Sequence, residues 1–560
     1  MNLTANLDLV SQTLPNKPAF IFYSPSMKQW DTVTFAQLAD LTQRFILGLQ
    51  ACSLTPGMRA AVMTPPSTDF FALAFAMLKL GIVPIIVDPA IGLKKLGECL
   101  KESEPDIFIG NLLTHTLRSI FGWGKESIKH NLTIKQLSKI TNHKLQSEPL
   151  STHPSPDSPA AIIYTSGSTG IPKGVLYTHA NFAAQLDMLR STFDISQDEI
   201  DLPAFPLYAL IDVLLGVTSV IPDITFPVPG KTNPAKVLNA IQEFKVTNMF
   251  ASPIVLDILA NWWLSSSERQ RGTYRNHSLK RVVTAGAPAT IQLQEKFRKL
   301  LDDKTDLFGI YGATEVLPIA KVESREIFEV RNKSAMGAGV CLGSPVNGVH
   351  VRIIQISDSA IEHWRDSLEV GPNVVGEITV QGAAVTRSYI AREEANRLSK
   401  IYRHCEEGAL PDEAISNSER EIASGYRPRN DEVEIIHRMG DVGYFDEQGR
   451  LWYCGRKSHR VITNDDVLFT EQIENIFNAH LQVRRTALVS VNKEPVLWIE
   501  LERNVDKEKI KHELMGLAKD HPQASKIRKF LFMKKFPTDV RHNSKIIREE
   551  LTLLAGKRLA

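Results

Sequence analysis

Cysteine is scarce in this chain of 560 residues: Cys52, Cys99, Cys341, Cys405 and Cys454 are widely spaced and form no CxxC pair. An odd number at such spacing argues against a disulfide framework or a cysteine zinc site and fits a reducing cytoplasm. Excess charge of either sign is also missing, because 65 lysines and arginines face 63 aspartates and glutamates. There is thus no broad basic footprint for nucleic acid or an acidic membrane surface, and any polyanion must be held locally. Long apolar runs are absent as well. The most apolar stretch, residues 70–87, is broken by Lys79, Gly81 and Pro84, so it reads as a helix followed by a buried strand and not as a transmembrane segment. The opening Met-Asn-Leu-Thr-Ala-Asn-Leu-Asp has neither the basic start nor the apolar stretch of a secretory signal. The expectation is a cytoplasmic, soluble protein.

With 43% hydrophobic residues, the chain exceeds what one core usually supports. Apolar runs of strand length at 60–63, 82–87, 107–109 and 160–164 alternate with helix-like stretches at 35–49 and 70–80. That alternation predicts βαβ units and a mainly parallel sheet. It resumes with a helix at 235–244, a strand at 248–251, a helix at 254–262 and a strand at 281–285, which predicts a second sheet. Beyond Gly337, short runs at 349–356 and 376–380 predict a small antiparallel or barrel-like piece. Residues 403–434 are rich in charge, serine, proline and asparagine and read as a solvated excursion open to disorder. After Gly455, helices at 469–479 and 507–519 alternate with strands at 487–491, 496–501 and 530–532. The fold class expected is α/β. A large N-terminal domain (1–455) has two βαβ-type sheets and a β-barrel-like subdomain, and a small α+β domain (456–560) begins at Arg456-Lys457.

Residues 164–174 read Tyr-Thr-Ser-Gly-Ser-Thr-Gly-Ile-Pro-Lys-Gly. Gly167, Gly170 and Gly174 let backbone amides approach a polyphosphate, Thr165, Ser166, Ser168 and Thr169 add hydroxyls, and Lys173 adds a positive charge. Half of this string would pass for a flexible turn. It is no Walker loop, since Pro172 precedes the lysine and Gly174 follows it. Downstream, Thr284-Ala285-Gly286-Ala287-Pro288 ends a strand in small residues that let backbone approach a flat ligand such as adenine. Tyr311-Gly312-Ala313-Thr314-Glu315 offers an aromatic face for a purine, a hydroxyl for a phosphate and a carboxylate for magnesium. Asp441 suits two ribose hydroxyls, with Arg456 a charged fork near the same sugar, and Lys545 lies in a polar loop. Each segment alone also reads as an ordinary turn, core residue or surface charge; their order and spacing favour one nucleotide site.

In that order, and over essentially the whole chain, these segments resemble the adenylate-forming superfamily of acyl-CoA synthetases, firefly luciferase and peptide-synthetase adenylation domains. The resemblance implies ATP and Mg2+ as cofactors, a mobile C-terminal domain hinged near Lys457, and a first half-reaction turning carboxylate plus ATP into acyl-AMP and pyrophosphate. It further implies that Lys545 bridges the carboxylate and the α-phosphate region, that Thr314 touches the α-phosphate, that Lys173 acts with them, and that Glu315 and Thr165 belong to the metal site. A silent nucleotide-binding scaffold would be expected to have lost Lys173, Glu315, Asp441 or Lys545, and all four are present.

Two absences separate branches of that superfamily. Phe205-Pro206-Leu207-Tyr208-Ala209 has alanine where acyl-CoA synthetases usually carry histidine, and no glycine occurs from Arg456 through Met515, where a glycine-containing loop would border a pantetheine channel. Both departures match the β-lactone synthetases of olefin biosynthesis. So do Gly92-Leu93-Lys94-Lys95-Leu96, Phe121-Gly122-Trp123-Gly124, Asn248-Met249-Phe250-Ala251-Ser252-Pro253, Val385-Thr386-Arg387-Ser388-Tyr389 and Arg541-His542-Asn543-Ser544-Lys545. That resemblance implies activation of a long-chain 2-alkyl-3-hydroxy fatty acid and cyclisation by its own hydroxyl; the alternative is a long-chain fatty acyl-CoA or fatty acyl-AMP ligase. Partners implied are the fatty acid substrate and other olefin-pathway enzymes, with no nucleic acid. His459 and His542 are proton-acceptor candidates by residue type, and residues 208–217 and 249–256 are candidate tunnel walls.

Overall fold

The computed structural model describes residues 3–24, 28–140, 154–165, 172–224, 229–275, 278–404, 433–502, 505–538 and 545–559. Two large sheets organise the chain before residue 457. The first has seven strands in the order Ser388–Tyr389, Gly174–Thr178, Pro159–Tyr164, Val83–Ile86, Arg59–Met63, Ile107–Gly110 and His130–Leu132. It is parallel from Pro159–Tyr164 onward, as the βαβ alternation predicts, and antiparallel at the Gly174–Thr178 edge.

The second sheet has fourteen strands. Its parallel part runs through Pro18–Ser24, Thr218–Ile221, Ile200–Pro203, Asn248–Ala251, Arg281–Thr284 and Asp306–Ala313. The antiparallel strands expected beyond Gly337 are present, but they are not detached. Val316–Glu323 folds back on Asp306–Ala313 and pairs with Val340–Pro345, which carries the sheet on through Leu451–Arg456 and Val433–Phe445. This continuity places Glu315, at the hairpin tip, on the same framework as Asp441.

Packing follows from the pattern of the two helices that lie between the sheets. Thr68–Leu80 is apolar almost all round, so it must be buried on every side. Phe71, Leu73, Phe75 and Ala76 share one core with Phe45 and Leu49 of the helix Phe35–Ala51, with Phe20 of the second sheet, and with Ala60 and Ile107 of the first. Phe20 stacks on Phe71 at 4.7 Å, and full burial of such a ring contributes about 1.5–3 kcal/mol. The helix starts where Ser67 accepts a hydrogen bond from the Phe70 amide at 3.2 Å, a cap worth about 1 kcal/mol. It stops at Gly81, whose φ of +69° suits glycine. Among the described residues no helix is long and apolar enough to cross a membrane.

Beyond Arg456 the chain builds a smaller unit. Three strands, Val483–Val491, Glu494–Leu501 and Lys529–Met533, are covered by the helices Thr470–Asn478, Lys507–Lys519 and Arg548–Leu559. Phe477, Leu488, Leu497 and Phe530 fill one face, and Val489, Trp498, Phe536 and Leu551 the other. Most of the polar excursion, residues 405–432, lies outside the described residues; the strands on either side of it, Lys400–His404 and Val433–Phe445, pair with each other.

Candidate active site

The hydroxyl- and glycine-rich loop joins two antiparallel strands, Pro159–Tyr164 and Gly174–Thr178, in which Tyr164 faces Gly174. Its base is closed by two bonds: the Thr165 amide donates to the Lys173 carbonyl at 3.0 Å, and the Lys173 amide donates to Thr165 Oγ1 at 3.2 Å. Ser166, Gly167, Ser168, Thr169 and Gly170 lie outside the described residues. The Lys173 ammonium sits 4.8 Å from the centre of the Tyr389 ring. Burial lowers its pKa, while Glu315 opposes that shift.

Thr314 and Glu315 form the tip of the hairpin Asp306–Ala313 and Val316–Glu323, and a second layer of side chains holds that tip. The Tyr177 hydroxyl donates to the Thr314 carbonyl. The Thr386 amide and hydroxyl both donate to the Glu315 carbonyl, at 3.0 and 3.1 Å, and the Tyr389 hydroxyl donates to Glu315 Oε1 at 2.5 Å. Lys400, fully buried behind them, donates to the Thr386 carbonyl and lies 5.8 Å from the Tyr389 ring centre. Burial pulls the Lys400 pKa down to about 7 against the opposing pull of Glu315. Sequence reasoning gave no role to Tyr177, Thr386, Tyr389 or Lys400, because the first three act on Thr314 or Glu315, between 71 and 137 positions away, and Lys400 acts only through Thr386.

Asp441 and Arg456 face each other across the antiparallel pair Val433–Phe445 and Leu451–Arg456. Asp441 Oδ2 accepts from the Tyr311 hydroxyl at 2.7 Å, and Oδ1 lies 3.1 Å from Arg456 Nη1. Burial raises the Asp441 pKa, and Arg456 and Tyr311 pull it back. The Asp441 carboxylate in turn raises that of Arg456. Thr284 ends its strand, and the next residues turn at Gly286, with φ of +91°, to present Ala287 and Pro288.

One cavity of about 2380 Å³ is lined by Thr165, Lys173, Gly286, Ala287, Pro288, Tyr311, Gly312, Ala313, Thr314, Glu315, Asp441 and Arg456, with Thr386 and Lys400 behind its wall. Lys545, from the smaller unit, lines the same cavity, and its charge lowers the pKa of Asp441. Residues separated by up to 380 positions therefore converge on one space far larger than an ordinary small-molecule pocket of roughly 300–1,000 Å³. His459 lines it too; burial beside Arg548 brings its pKa down to about 4, so it is neutral at pH 7 and a weak base. His542 lies outside the described residues. Of the two tunnel segments, Tyr208, Leu210, Ile211, Leu214, Phe250 and Ser252 line the cavity, whereas Val213, Met249 and Leu256 pack into cores.

The residues fit a nucleotide. Thr284 Oγ1 and Gln294 Oε1 are buried without a hydrogen-bond partner among the described residues, and their side chains line the cavity. No group of three or more His, Cys, Asp or Glu side chains converges on a metal position among the described residues. Thr165 and Glu315 on the cavity wall suit magnesium, which is commonly bound by one or two carboxylates plus substrate phosphates.

Comparison with known proteins places the chain in a family. Residues 7–390 match the family model described as AMP-binding enzyme. The chain is 38% identical to an olefin beta-lactone synthetase of Xanthomonas campestris, over 94% of this chain and 91% of that protein. It is 37% identical to one of Stenotrophomonas maltophilia, over 94% and 92%. Among solved structures it resembles ATP-bound MatB of Rhodopseudomonas palustris, with TM-score 0.75, 18% identity and 100% of both chains covered. It also resembles the O-succinylbenzoate coenzyme A synthetase of Bacillus subtilis in complex with ATP and magnesium, with TM-score 0.72, 21% identity and 98% of both chains covered. The chain belongs to the AMP-binding family and is an ATP-dependent, adenylate-forming ligase.

Proposed function

We propose that this ligase activates a long-chain 2-alkyl-3-hydroxy fatty acid as its acyl-AMP and then closes a β-lactone with release of AMP. The observation that carries the reading is the similarity to two olefin beta-lactone synthetases over nearly the full length of both chains. The cavity supports it, because its nucleotide end continues into apolar walls at Phe70, Met77, Leu186, Leu210 and Leu214.

In the first step a carboxylate oxygen bonds to the α-phosphorus, and the bond to pyrophosphate breaks. An anion must approach an anion, so Lys545 and Lys173 neutralise charge that builds up on the way. Thr314 donates to the α-phosphate, Asp441 takes the ribose hydroxyls, and Arg456 holds Asp441. Thr165 and Glu315 would hold magnesium, which would supply charge neutralisation and orientation of the phosphates. In the second step the 3-hydroxyl oxygen bonds to the acyl carbon, the bond to AMP breaks, and the hydroxyl proton passes to the departing phosphate. Attack from within the same molecule gains from effective molarities that reach about 10⁵ M or more, less the strain of a four-membered ring. Ala209, fully buried at the start of the helix Ala209–Leu215, provides no imidazole at that position for a thioester step. A cytoplasmic location and neighbouring enzymes of olefin formation belong to the same proposal.

Purified protein given a long-chain β-hydroxy acid, ATP and magnesium should release lactone and AMP without coenzyme A, as read by mass spectrometry. Strict dependence on coenzyme A, with thioester as product, would replace this reading by that of a long-chain fatty acyl-CoA ligase. Accumulated acyl-AMP without lactone would point to a fatty acyl-AMP ligase.

A further inference from the structure

The helix Leu112–Phe121 exposes much of its apolar surface. Its ends are well made: Asn111 and Thr114 form a reciprocal cap, and Gly122 closes the C-terminus with φ of +66°. Thr116 and Ser119 are exposed and Leu117 packs toward a core, yet two polar side chains, His115 and Arg118, face inward. His115 places Nε2 3.0 Å from the Leu132 carbonyl and its ring 5.0 Å from that of Phe108, and the Arg118 guanidinium lies over the same Phe108 ring at 5.6 Å. Outward point Leu112, Leu113, Ile120 and Phe121, at 84%, 65%, 70% and 49% exposure. A helix facing water shows the opposite arrangement, with its apolar stripe inward.

This face is continuous with the cavity mouth. Leu113 and Leu117 line the mouth together with Leu93, Leu96 and Trp123, and Phe121 stacks on Trp123 at 5.7 Å. Leu93, at the start of the neighbouring helix Leu93–Ser103, is itself 40% exposed. In residues 93–129 Lys94, Lys95, Lys101, Lys125 and Lys129 are exposed against the exposed carboxylates of Glu98, Glu104 and Glu126, a small positive excess. The near-neutral charge of the whole chain conceals this local positive excess.

We propose that Leu112–Phe121 lies in the headgroup layer of an anionic lipid surface, and that acyl chains pass from that layer into the cavity between this helix and Leu93–Ser103. Apolar side chains on one helical face with lysines beside them are what an interfacial helix requires. Leu112, Ile120 and Phe121 protrude from the helix outside the cavity lining, which suits a deformable lipid layer better than the fixed surface of a protein. The proposal rests on the long-chain acid reading above, but its test does not require turnover.

The full chain is sedimented with vesicles of phosphatidylcholine alone and of phosphatidylcholine mixed with phosphatidylglycerol. Wild type should sediment with the mixed vesicles and much less with the neutral ones. Leu112→Asp combined with Ile120→Asp should lower partitioning at least tenfold while leaving the pyrophosphate-exchange rate on detergent-dispersed acid unchanged, which also certifies the fold. Wild type that stays in solution with both vesicles overturns the proposal, as does a double variant that sediments like wild type. Absence of vesicle binding together with a fall in apparent mass on making the variant would assign the face to a contact between copies of the chain. Vesicle binding without lactone formation would instead count against the substrate reading alone.

Discussion

The Tyr389 hydroxyl donates to Glu315 Oε1 at 2.5 Å, with both side chains buried. Burial and the neighbouring carboxylate push the tyrosine pKa further up, so the phenol stays protonated and remains a donor throughout the working pH range. A hydrogen bond to a charged group is worth about 1.5–3 kcal/mol. Tyr389→Phe removes that bond and keeps the ring that Lys173 faces. Pyrophosphate exchange should slow about tenfold or more, and half-saturating magnesium should rise. If neither changes, Glu315 needs no orientation by Tyr389.

Lys545 reaches the cavity of Thr165 and Lys173 from a different unit of the fold. If it neutralises the developing charge, Lys545→Ala should keep ATP binding, measured by calorimetry, and lose adenylation by roughly 10² to 10³, the range for deleting one preorganised electrostatic group. Unchanged pyrophosphate release would remove Lys545 from the mechanism.

Much of the fold was legible because its helices and strands carry strong periodicity. The helix Lys507–Lys519 and the strand Asn248–Ala251 fall where the pattern puts them, and the break at Gly81 follows from its left-handed backbone. Residues that line the cavity were legible because small and charged residues crowd into short strings. What was not legible depends on register between distant strands. Nothing local in Val385-Thr386-Arg387-Ser388-Tyr389 says that its hydroxyls fold onto Glu315, and Lys400 reads as an exposed lysine until its strand pairs with Val433–Phe445. The outward-facing Leu112 and Ile120 escape for the opposite reason: period alone does not say which side of a helix meets the core.

His179 begins the helix His179–Phe193 with 1% exposure, and neither ring nitrogen has a hydrogen-bond partner among the described residues. Burial lowers its pKa from 6.5 to about 4. Between those values the unfolded chain binds the proton and the folded chain does not, so this group stabilises the fold fully above about pH 6.5 and progressively less toward pH 4. The buried acids Asp212 and Glu471, both pushed up to about 7, act with the opposite sign. The informative quantity is therefore the difference between wild type and His179→Leu. Denaturant unfolding from pH 7 to 4.5 should show wild type losing on the order of 2–3 kcal/mol more than the variant, because each tenfold difference in proton affinity between folded and unfolded chain is worth about 1.4 kcal/mol. Parallel curves would mean that His179 is protonated in the fold.

Glu377 is completely buried and balances two cations, taking Arg438 Nη2 at 2.6 Å and Lys457 Nζ at 2.9 Å. Lys457 also donates to the Ser357 carbonyl at 2.8 Å, so the point where the smaller unit begins is fastened to the larger sheet. Deleting the carboxylate leaves the cations without a counter-charge, and breaking a buried pair costs about 3–5 kcal/mol. Glu377→Ala should lower the urea midpoint accordingly with little change in slope. Glu377→Leu with Arg438→Met should recover part of the loss, because well-packed apolar replacements of a buried pair are often neutral. Lys457→Met, which removes the more accessible partner, should cost less than Glu377→Ala and should loosen the junction, read as faster proteolysis near residue 457. If all three variants unfold at the wild-type midpoint, the carboxylate is solvated in solution and does not fasten the two units.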